Sequence, residues 1–187
     1  VSKPLVFKTA LDVRALYPSA AVIPLVFDLA TADDLLEFID QHAQINRIYT
    51  FFGLIPNFPP KSILPRLRML LRPEDRLLLS ANLAPNGMDP ILPQYDNDTT
   101  REWLAEFPRT RGAGQGEVNI TVETDGPLQH ITAHFQFQEQ CVMEANAENF
   151  KFYRGDILQL FVSYRYTLET LANTLGSHGI TIKDSFQ

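Results

Sequence analysis

Apolar runs that alternate with helical patterns limit the fold of the first half of the chain more than any other feature. Residues 21–27, 47–52 and 76–82 are rich in apolar side chains at consecutive positions. Strands that are apolar on both faces are typical of parallel sheets, in which helices cover each face. These runs therefore predict three parallel strands.

Two helical patterns separate the predicted strands. The first follows Thr31, a residue that caps helices well, and it places apolar side chains on one face. The second begins at Pro59-Pro60 and ends before Pro73, because the residue that precedes a proline avoids helical geometry. Pro65 fits this second helix only within the first turn, where its missing N–H is harmless. The order of strands and helices predicts right-handed crossovers and a parallel sheet.

The second half of the chain carries the alternating pattern of strands with one exposed face. Residues 117–124 and 130–138 alternate on either side of a Gly-Pro turn and predict an antiparallel hairpin. His130 and His134 fall on the face that is predicted to be wet. They lie about 13 Å apart at the rise of a strand, which is too far for one metal ion, so we expect no metal site.

Further elements complete the predicted order. A strand, a helix and a last strand are expected at residues 157–164, 168–175 and 180–183. Residues 86–115 are rich in Pro, Gly, Asn and Asp around a short helix near residues 100–107. We therefore expect one α/β domain over residues 1–187, in which residues 86–155 form a small antiparallel insertion that contains the hairpin.

Charge and composition exclude several classes of function. The formal net charge of −6 disfavours nucleic acid as a partner, because phosphate binding needs clustered Lys and Arg. No apolar run approaches the roughly 20 residues that cross a bilayer, and the first residues do not resemble a secretory signal. Cys141 is the only cysteine, so an internal disulfide is excluded. We expect a soluble, cytoplasmic protein without a membrane partner, and the oligomeric state stays open.

The predicted sheet directs attention to the residues that follow its strands, because ligands bind beyond the carboxyl ends of parallel strands. Asp28-Leu29, residues 52–58 and residues 80–82 occupy these positions. Gly53, directly after a strand, lets a ligand approach the backbone, and Asn57 offers both a donor and an acceptor. A plain turn before the Pro-Pro helix start is the alternative interpretation of these two residues.

The order of the motifs resembles a known family. In chain order they are Asp28, Phe52-Gly53-x-x-x-Asn57-Phe58, Leu77-Leu-Leu-Ser-Ala-Asn-Leu83, Pro93-Gln-Tyr95-Asp96-Asn97, Thr100-x-x-Trp103 and Ser163-Tyr164-Arg165-Tyr166. This order is similar to that of the histidine-specific, S-adenosylmethionine-dependent methyltransferases of the ergothioneine pathway, from about residue 17 onwards. The resemblance implies a Rossmann-like methyltransferase sheet, of which this chain would be the central to C-terminal part.

For the cofactor, the resemblance implies a site at the strand ends. Asp28 would accept a hydrogen bond from the adenine of S-adenosylmethionine, with Leu29 beside it, and Phe52 and Gly53 would line the cofactor. The family also holds the cofactor with a glycine-rich loop, yet no glycine precedes Gly53 in this sequence. The loop cannot be built from these residues, and we expect the chain to be a fragment of a longer enzyme.

For the substrate, the resemblance implies a different set of residues. Asn57 would hold the backbone groups of an amino acid, Tyr95 would bind its carboxylate, and Ser163 would help to read its side chain. The histidine enzymes carry an acidic residue two positions before that serine, where this sequence has Phe161. A phenyl ring cannot accept a hydrogen bond from an imidazole N–H, so an apolar or aromatic substrate side chain suits Phe161 better.

The expected function is that of an S-adenosylmethionine-dependent N-methyltransferase. It would act on the amino group or side chain of a small amino-acid-like molecule by direct displacement, without a metal ion. The alternative is a non-catalytic binding or structural domain that retains the same core without the cofactor. A strand followed by Gly-x-Gly upstream of Val1 would favour the enzyme.

Overall fold

The structure is a computed structural model that describes residues 3–27, 35–42, 47–145 and 147–186. Asp28, Leu29 and Thr31 lie outside these ranges. The helices of the described ranges are α1 (Lys3–Leu16), α2 (Leu35–His42), α3 (Pro60–Leu70), α4 (Leu92–Tyr95), α5 (Asp98–Thr110) and α6 (Leu168–Gly176). The strands are β1 (Ile48–Phe51), β2 (Arg76–Leu79), β3 (Gly116–Asp125), β4 (Leu128–Phe137), β5 (Cys141–Ala145), β6 (Glu148–Phe152) and β7 (Ile157–Arg165).

Strands β1 and β2 form a parallel pair, in which Phe51 lies opposite Leu79. Helix α3 connects the two strands, and a short 3₁₀ helix, Ile55–Asn57, precedes it. This unit confirms the prediction of two parallel strands that are joined by a helix. The carboxyl ends of both strands therefore lie at one edge, which is where a ligand site is expected.

The prediction of a strand at residues 21–27 is wrong, because this segment has no regular secondary structure. Pro24 interrupts the apolar run and cannot donate a hydrogen bond to a ladder. Ile23 and Val26 stay 51% and 47% exposed, so the run is not covered by helices. Helix α1 precedes it and was not predicted.

Pro65 lies in the second turn of α3, which contradicts the expectation that it occupies the first turn. A proline at this position removes one helical hydrogen bond, at a cost of about 3 kcal/mol. Leu64 and Leu67, on either side of Pro65 in the same helix, are each only 1% exposed. Burial of this apolar face outweighs the lost bond, because tertiary packing supplies most of the stability of a helix in a protein.

A three-stranded antiparallel sheet has the strand order β3-β4-β7. The β3–β4 hairpin confirms the alternating pattern of the sequence, with Val118 opposite Phe135. One face of the sheet is deeply buried, since Ile131, Ala133 and Phe135 are each 0% exposed. Helix α5 lies against this face and contributes Leu104 to the same core cluster.

The opposite face of this sheet is exposed along β3, as the sequence predicted, but it is covered around His130. His130 is 8% exposed, and its ring stacks on that of Tyr164 with 4.6 Å between centroids. A second core cluster, to which Leu128 and Tyr164 belong, covers this end of the sheet. The alternation of residue types did not reveal that cover, because it comes from α3 and α6, which lie far away in the sequence.

Two other differences concern the C-terminal part of the chain. Strands β5 and β6 pair as an antiparallel hairpin that was not predicted, with Met143 opposite Phe150. Residues 180–183 are not a strand; Ile180 instead donates its N–H to the carbonyl of Leu175 at the end of α6. The chain is thus a mixed α/β fold with a small antiparallel sheet.

A short parallel bridge joins the segment after β2 to the end of β7. The N–H of Ala84 donates to the carbonyl of Tyr166 at 2.8 Å, and the N–H of Tyr166 donates to the carbonyl of Asn82 at 3.0 Å. Leu83 and Tyr166 are the bridged pair. The bridge brings the carboxyl end of β2 beside the carboxyl end of β7.

A buried ion pair lies at the opposite ends of β1 and β2. Arg47 donates from Nη2 to Asp75 at 2.6 Å, and the two side chains are 6% and 1% exposed. Asp75 also accepts the N–H of Arg72 at 2.7 Å, and Arg47 also donates to Asp40 at 3.1 Å. The hydrogen bonds from Arg47 hold the pKa of Asp75 below its ordinary value, although burial acts in the other direction.

Candidate functional site

The carboxyl end of β1 turns sharply at Gly53. Its φ of 67° favours glycine, because a Cβ is strained in this region. Its N–H donates to Ser80 Oγ at 2.7 Å, and its carbonyl accepts from Asn57 Nδ2 at 3.0 Å. Phe52, just before the turn, is 68% exposed. The polar groups at the ends of β1 and β2 are thus bonded to each other.

The face of β7 that carries Phe161, Ser163 and Arg165 forms the centre of the site, since residues two apart on a strand point the same way. A β-bulge precedes it: Gln159 pairs with His134 and Phe161 pairs with Ala133, which leaves Leu160 without an opposite residue. A bulge bends its strand and changes the direction of the side chains beside it. The bulge therefore sets how Phe161 enters the site.

An open cavity of about 290 Å³ adjoins the bulge. Its walls come from the 3₁₀ helix and from β7, and the lining residues are Asn57, Gln159, Leu160, Phe161 and Val162. The volume lies just below the range for small-molecule sites, which is roughly 300–1,000 Å³. The lining therefore includes two residues with amide side chains, Asn57 and Gln159, and one aromatic residue, Phe161.

Tyr95, the last residue of α4, packs against the ring of Phe161. The two rings stack with 5.7 Å between centroids and an interplanar angle of 23°. The Tyr95 hydroxyl accepts a hydrogen bond from Arg165 Nη2 at 2.5 Å, and the guanidinium carbon lies 5.1 Å from the centroid of the ring. Helix α4 thus reaches β7 through an aromatic contact and a charged contact at the same residue.

Ser163 is 1% exposed and lies between Phe161 and Arg165 along the strand. Its Oγ accepts a hydrogen bond from Asn82 Nδ2 at 3.1 Å. Asn82 follows the carboxyl end of β2, so this bond ties the parallel pair to the antiparallel sheet. The Ser163 hydroxyl retains its own proton for donation.

Two tyrosines that flank Arg165 in sequence have strongly raised pKa values. Burial, followed by the charge of Asp125 and a hydrogen bond to it, raises the pKa of Tyr164 to about 12. Burial, followed by the charge of Tyr164, raises the pKa of Tyr166 to about 12. Both tyrosines stay neutral over the physiological range, so neither supplies a negative charge that would offset the guanidinium of Arg165.

The structure brings together the candidate substrate residues and connects one candidate cofactor residue, Gly53, to them. Asn57 and Phe161 share the cavity, Tyr95 stacks on Phe161, and Ser163 follows on the same face of β7. Gly53 joins this group through its bond to Asn57. The exposed ring of Phe52 makes no ring contact within the described ranges, and Asp28 and Leu29 lie outside those ranges.

Sequence reasoning assigned no role to Asn82 or Arg165. Asn82 was noted only as a strand end, and Arg165 only as part of a motif. The signal that was available is the spacing, because residue 165 lies two positions after Ser163 and four after Phe161, although the strand predicted at residues 157–164 ends one residue before it. That parity places Arg165 on the same face, although its contact with Tyr95 is not visible in the sequence.

Within the described ranges, no cluster of three or more His, Cys, Asp and Glu side chains has the arrangement of a metal site. None of the helices in these ranges combines the length and the apolar character that a bilayer crossing demands. Comparisons with protein-family models and with curated proteins found no match for this chain. The functional interpretation therefore depends on the resemblance of the motifs and on the geometry around β7.

Proposed function

We propose that this chain forms the substrate side of an S-adenosylmethionine-dependent N-methyltransferase that acts on a small amino-acid-like molecule. The observation that supports the proposal is the convergence of Asn57, Tyr95, Phe161 and Ser163 on one segment of β7, residues 159–163. These residues come from three separate parts of the chain. They meet beside the carboxyl ends of a parallel strand pair, the edge at which α/β sheets bind ligands. In this proposal β1 and β2 belong to a Rossmann-like methyltransferase sheet.

The chemistry of the lining residues suits an amino acid. The amide of Asn57 can accept from an amino group or donate to a carboxylate, and the Tyr95 hydroxyl can donate to a carboxylate. Phe161 offers an apolar wall to the substrate side chain. Methyl transfer by direct displacement requires mainly that the nucleophile be oriented and neutral, and these contacts hold a substrate in one orientation.

In this proposal, the described residues line one side of the cofactor. Gly53 has no atom within 4 Å of the position that a Cβ would take, so the backbone there is open to close approach. S-adenosylmethionine would supply the methyl group when it is bound beside Phe52 and Gly53. No glycine precedes Gly53, so residues 1–187 would supply the strand-end side of the cofactor site and not the glycine-rich loop.

The test measures cofactor binding and methyl transfer on the intact protein that contains this chain. Calorimetry with S-adenosylmethionine is followed by transfer of labelled methyl groups to a panel of amino acids. We expect Asn57→Ala to raise KM for the accepted substrate by roughly tenfold or more, which is the size of one lost polar contact. Asn119→Ala is the matched control, because Asn119 lies on β3 and is exposed. Absence of both cofactor heat and labelled product would refute the enzyme.

The non-catalytic alternative has one observation in its favour. The Gly53 N–H is bonded to Ser80, and Ser163 is bonded to Asn82 and almost fully buried. A domain that retains this core only for structure also satisfies its polar groups internally in this way. Amino-acid binding without any methyl transfer, in protein that also fails to bind the cofactor, would favour this alternative.

A further inference from the structure

Arg165 is a buried cation without an acidic partner. The residue is 9% exposed, and its Nε has no hydrogen-bond partner. Within the described ranges, no Asp or Glu forms an ion pair with it, whereas the buried Arg47 pairs with both Asp75 and Asp40. Isolated buried charges cost several kcal/mol unless an opposite charge or a full set of hydrogen bonds offsets the cost. An anion from outside the protein would stabilise a guanidinium in this state.

The hydrogen bond between Arg165 and Tyr95 fixes the polarity of the tyrosine hydroxyl. A guanidinium can only donate, so the Tyr95 oxygen must be the acceptor in the 2.5 Å contact. The hydroxyl proton then points elsewhere, and no acceptor for it occurs among the residues that the structure describes. Tyr95 is only half-buried, so a ligand can reach this donor.

The nearest acidic side chain in the sequence does not neutralise this pair. Asp96 follows Tyr95 directly, but its carboxylate is bonded to Arg101. Asp98 also lies within ion-pair distance of Arg101, at 3.5 Å. The local charge of Arg165 therefore stays uncompensated.

The resemblance already implies that Tyr95 binds the ligand carboxylate; we propose that Arg165 completes this subsite as its cation and as the residue that positions the Tyr95 hydroxyl. Arg165 supplies the charge and fixes Tyr95 as a donor, and Tyr95 donates its proton to one carboxylate oxygen. The stacked ring of Phe161 then directs the rest of the ligand towards the cavity beside Asn57. One guanidinium and one O–H donor match a single negative charge, which favours a carboxylate over the dianion of phosphate. The identity of the ligand as an amino acid rests on the proposed function, whereas the anion site does not depend on methyl transfer.

The experiment compares the affinities of the intact protein for L-phenylalanine, L-phenylalaninamide and inorganic phosphate, measured by calorimetry without cofactor. We expect L-phenylalanine to bind about tenfold to a hundredfold more tightly than its amide, the range for a hydrogen-bonded charge. Arg165→Gln should bring that ratio close to one. Tyr95→Phe should reduce it in part, and Arg165→Lys should restore part of it because the charge remains.

The matched control is Arg154→Gln, because Arg154 is an exposed residue in the turn before β7 and its loss should leave the ratio unchanged. Near-ultraviolet circular dichroism establishes that each variant is folded, and Arg165→Lys and Tyr95→Phe decide the question if Arg165→Gln does not fold. An unchanged ratio in the folded Arg165 variants, phosphate that competes as well as the amino acid, or no binding of L-phenylalanine would overturn the proposal. If the protein distinguishes the carboxylate from the amide but transfers no methyl group, the proposed function is refuted and the carboxylate site is not.

Discussion

Replacement of Asp75 by Asn tests the ion pair that joins the amino ends of β1 and β2. Asp75 accepts hydrogen bonds from Arg47 Nε and Nη2 and from the N–H of Arg72, and its side chain is 1% exposed. An asparagine would turn an NH₂ group towards these donors and leave the guanidinium without its main counter-charge. Removal of one partner of such a pair costs about 3–5 kcal/mol.

Asp40 limits this loss, because it still accepts from Arg47 Nη1 at 3.1 Å. Asp40 is 55% exposed, so its contribution is weakened by solvent. We therefore expect a loss of about 3 kcal/mol in the free energy of unfolding at neutral pH. With a denaturant slope of about 2 kcal/mol per molar urea, the midpoint should fall by about 1.5 M.

The pH dependence gives the sign of the effect. The folded-state pKa of Asp75 is lowered, mainly by Arg47, so its contribution is complete above the unfolded-state value of about 3.9 and is lost as pH falls through the folded-state value. The difference between the wild type and Asp75→Asn should be constant from pH 7 to about pH 5 and shrink below about pH 4. Urea unfolding followed by circular dichroism at several pH values measures it.

Two further variants separate the buried pair from general charge effects. Asp12→Asn breaks an exposed ion pair with Lys8 and should leave the free energy of unfolding nearly unchanged. The double replacement Arg47→Met with Asp75→Leu removes both charges and should recover most of the loss, because an apolar pair can substitute for a buried ion pair. A cost below about 1 kcal/mol for Asp75→Asn, or the same cost at pH 3 as at pH 7, would refute the reasoning.

The other predictions concern packing, titration and a helix cap. Gly116→Ala should cost about 1–3 kcal/mol in urea unfolding, because its Cβ would lie 2.2 Å from the Phe135 ring, whereas Gly176→Ala meets open space and should be neutral or slightly stabilising. A titration of tyrosine absorbance should show that Tyr164 loses its proton only at pH about 12. The free energy of unfolding that is present below pH about 10 should fall as Tyr164 ionises. Tyr164→Phe should remove its share of that fall, and an unchanged dependence of stability on pH in this variant would count against the burial of Tyr164. Thr167→Ala breaks the capping box of α6 and should lower the thermal midpoint at a cost of about 1 kcal/mol, whereas Thr167→Ser should keep most of the stability.

Much of the strand order was predictable because the patterns that define it are local. The alternation around Val118 and Ile131 depends only on neighbouring residues, and so does the apolar run that became β1. Helix α1 was not predicted because it carries no strong apolar stripe, and accordingly Ala10 is its one buried residue. Residues 21–27 resembled a strand because almost all of them are apolar, although Pro24 cannot donate a hydrogen bond to a strand ladder.

The site was less predictable, because its contacts depend on the packing of distant segments. The resemblance to a family selected Asn57, Tyr95 and Ser163, but it did not reveal that Tyr95 stacks on Phe161. The bond from Arg165 to Tyr95 depends on how α4 lies against β7, and no local pattern encodes that arrangement. His130 was predicted to be wet for the same reason, since its cover comes from elements outside its own hairpin.

The contacts that build the site join residues 81 positions apart, as in Asn82 and Ser163, and 70 positions apart, as in Tyr95 and Arg165. During synthesis, the ribosome must therefore release the whole of β7 before a ligand finds a complete set of partners. Closing such long loops is slow relative to local folding. A ligand of the proposed site would thus stabilise only chains that already include β7, and it would leave shorter nascent chains unaffected.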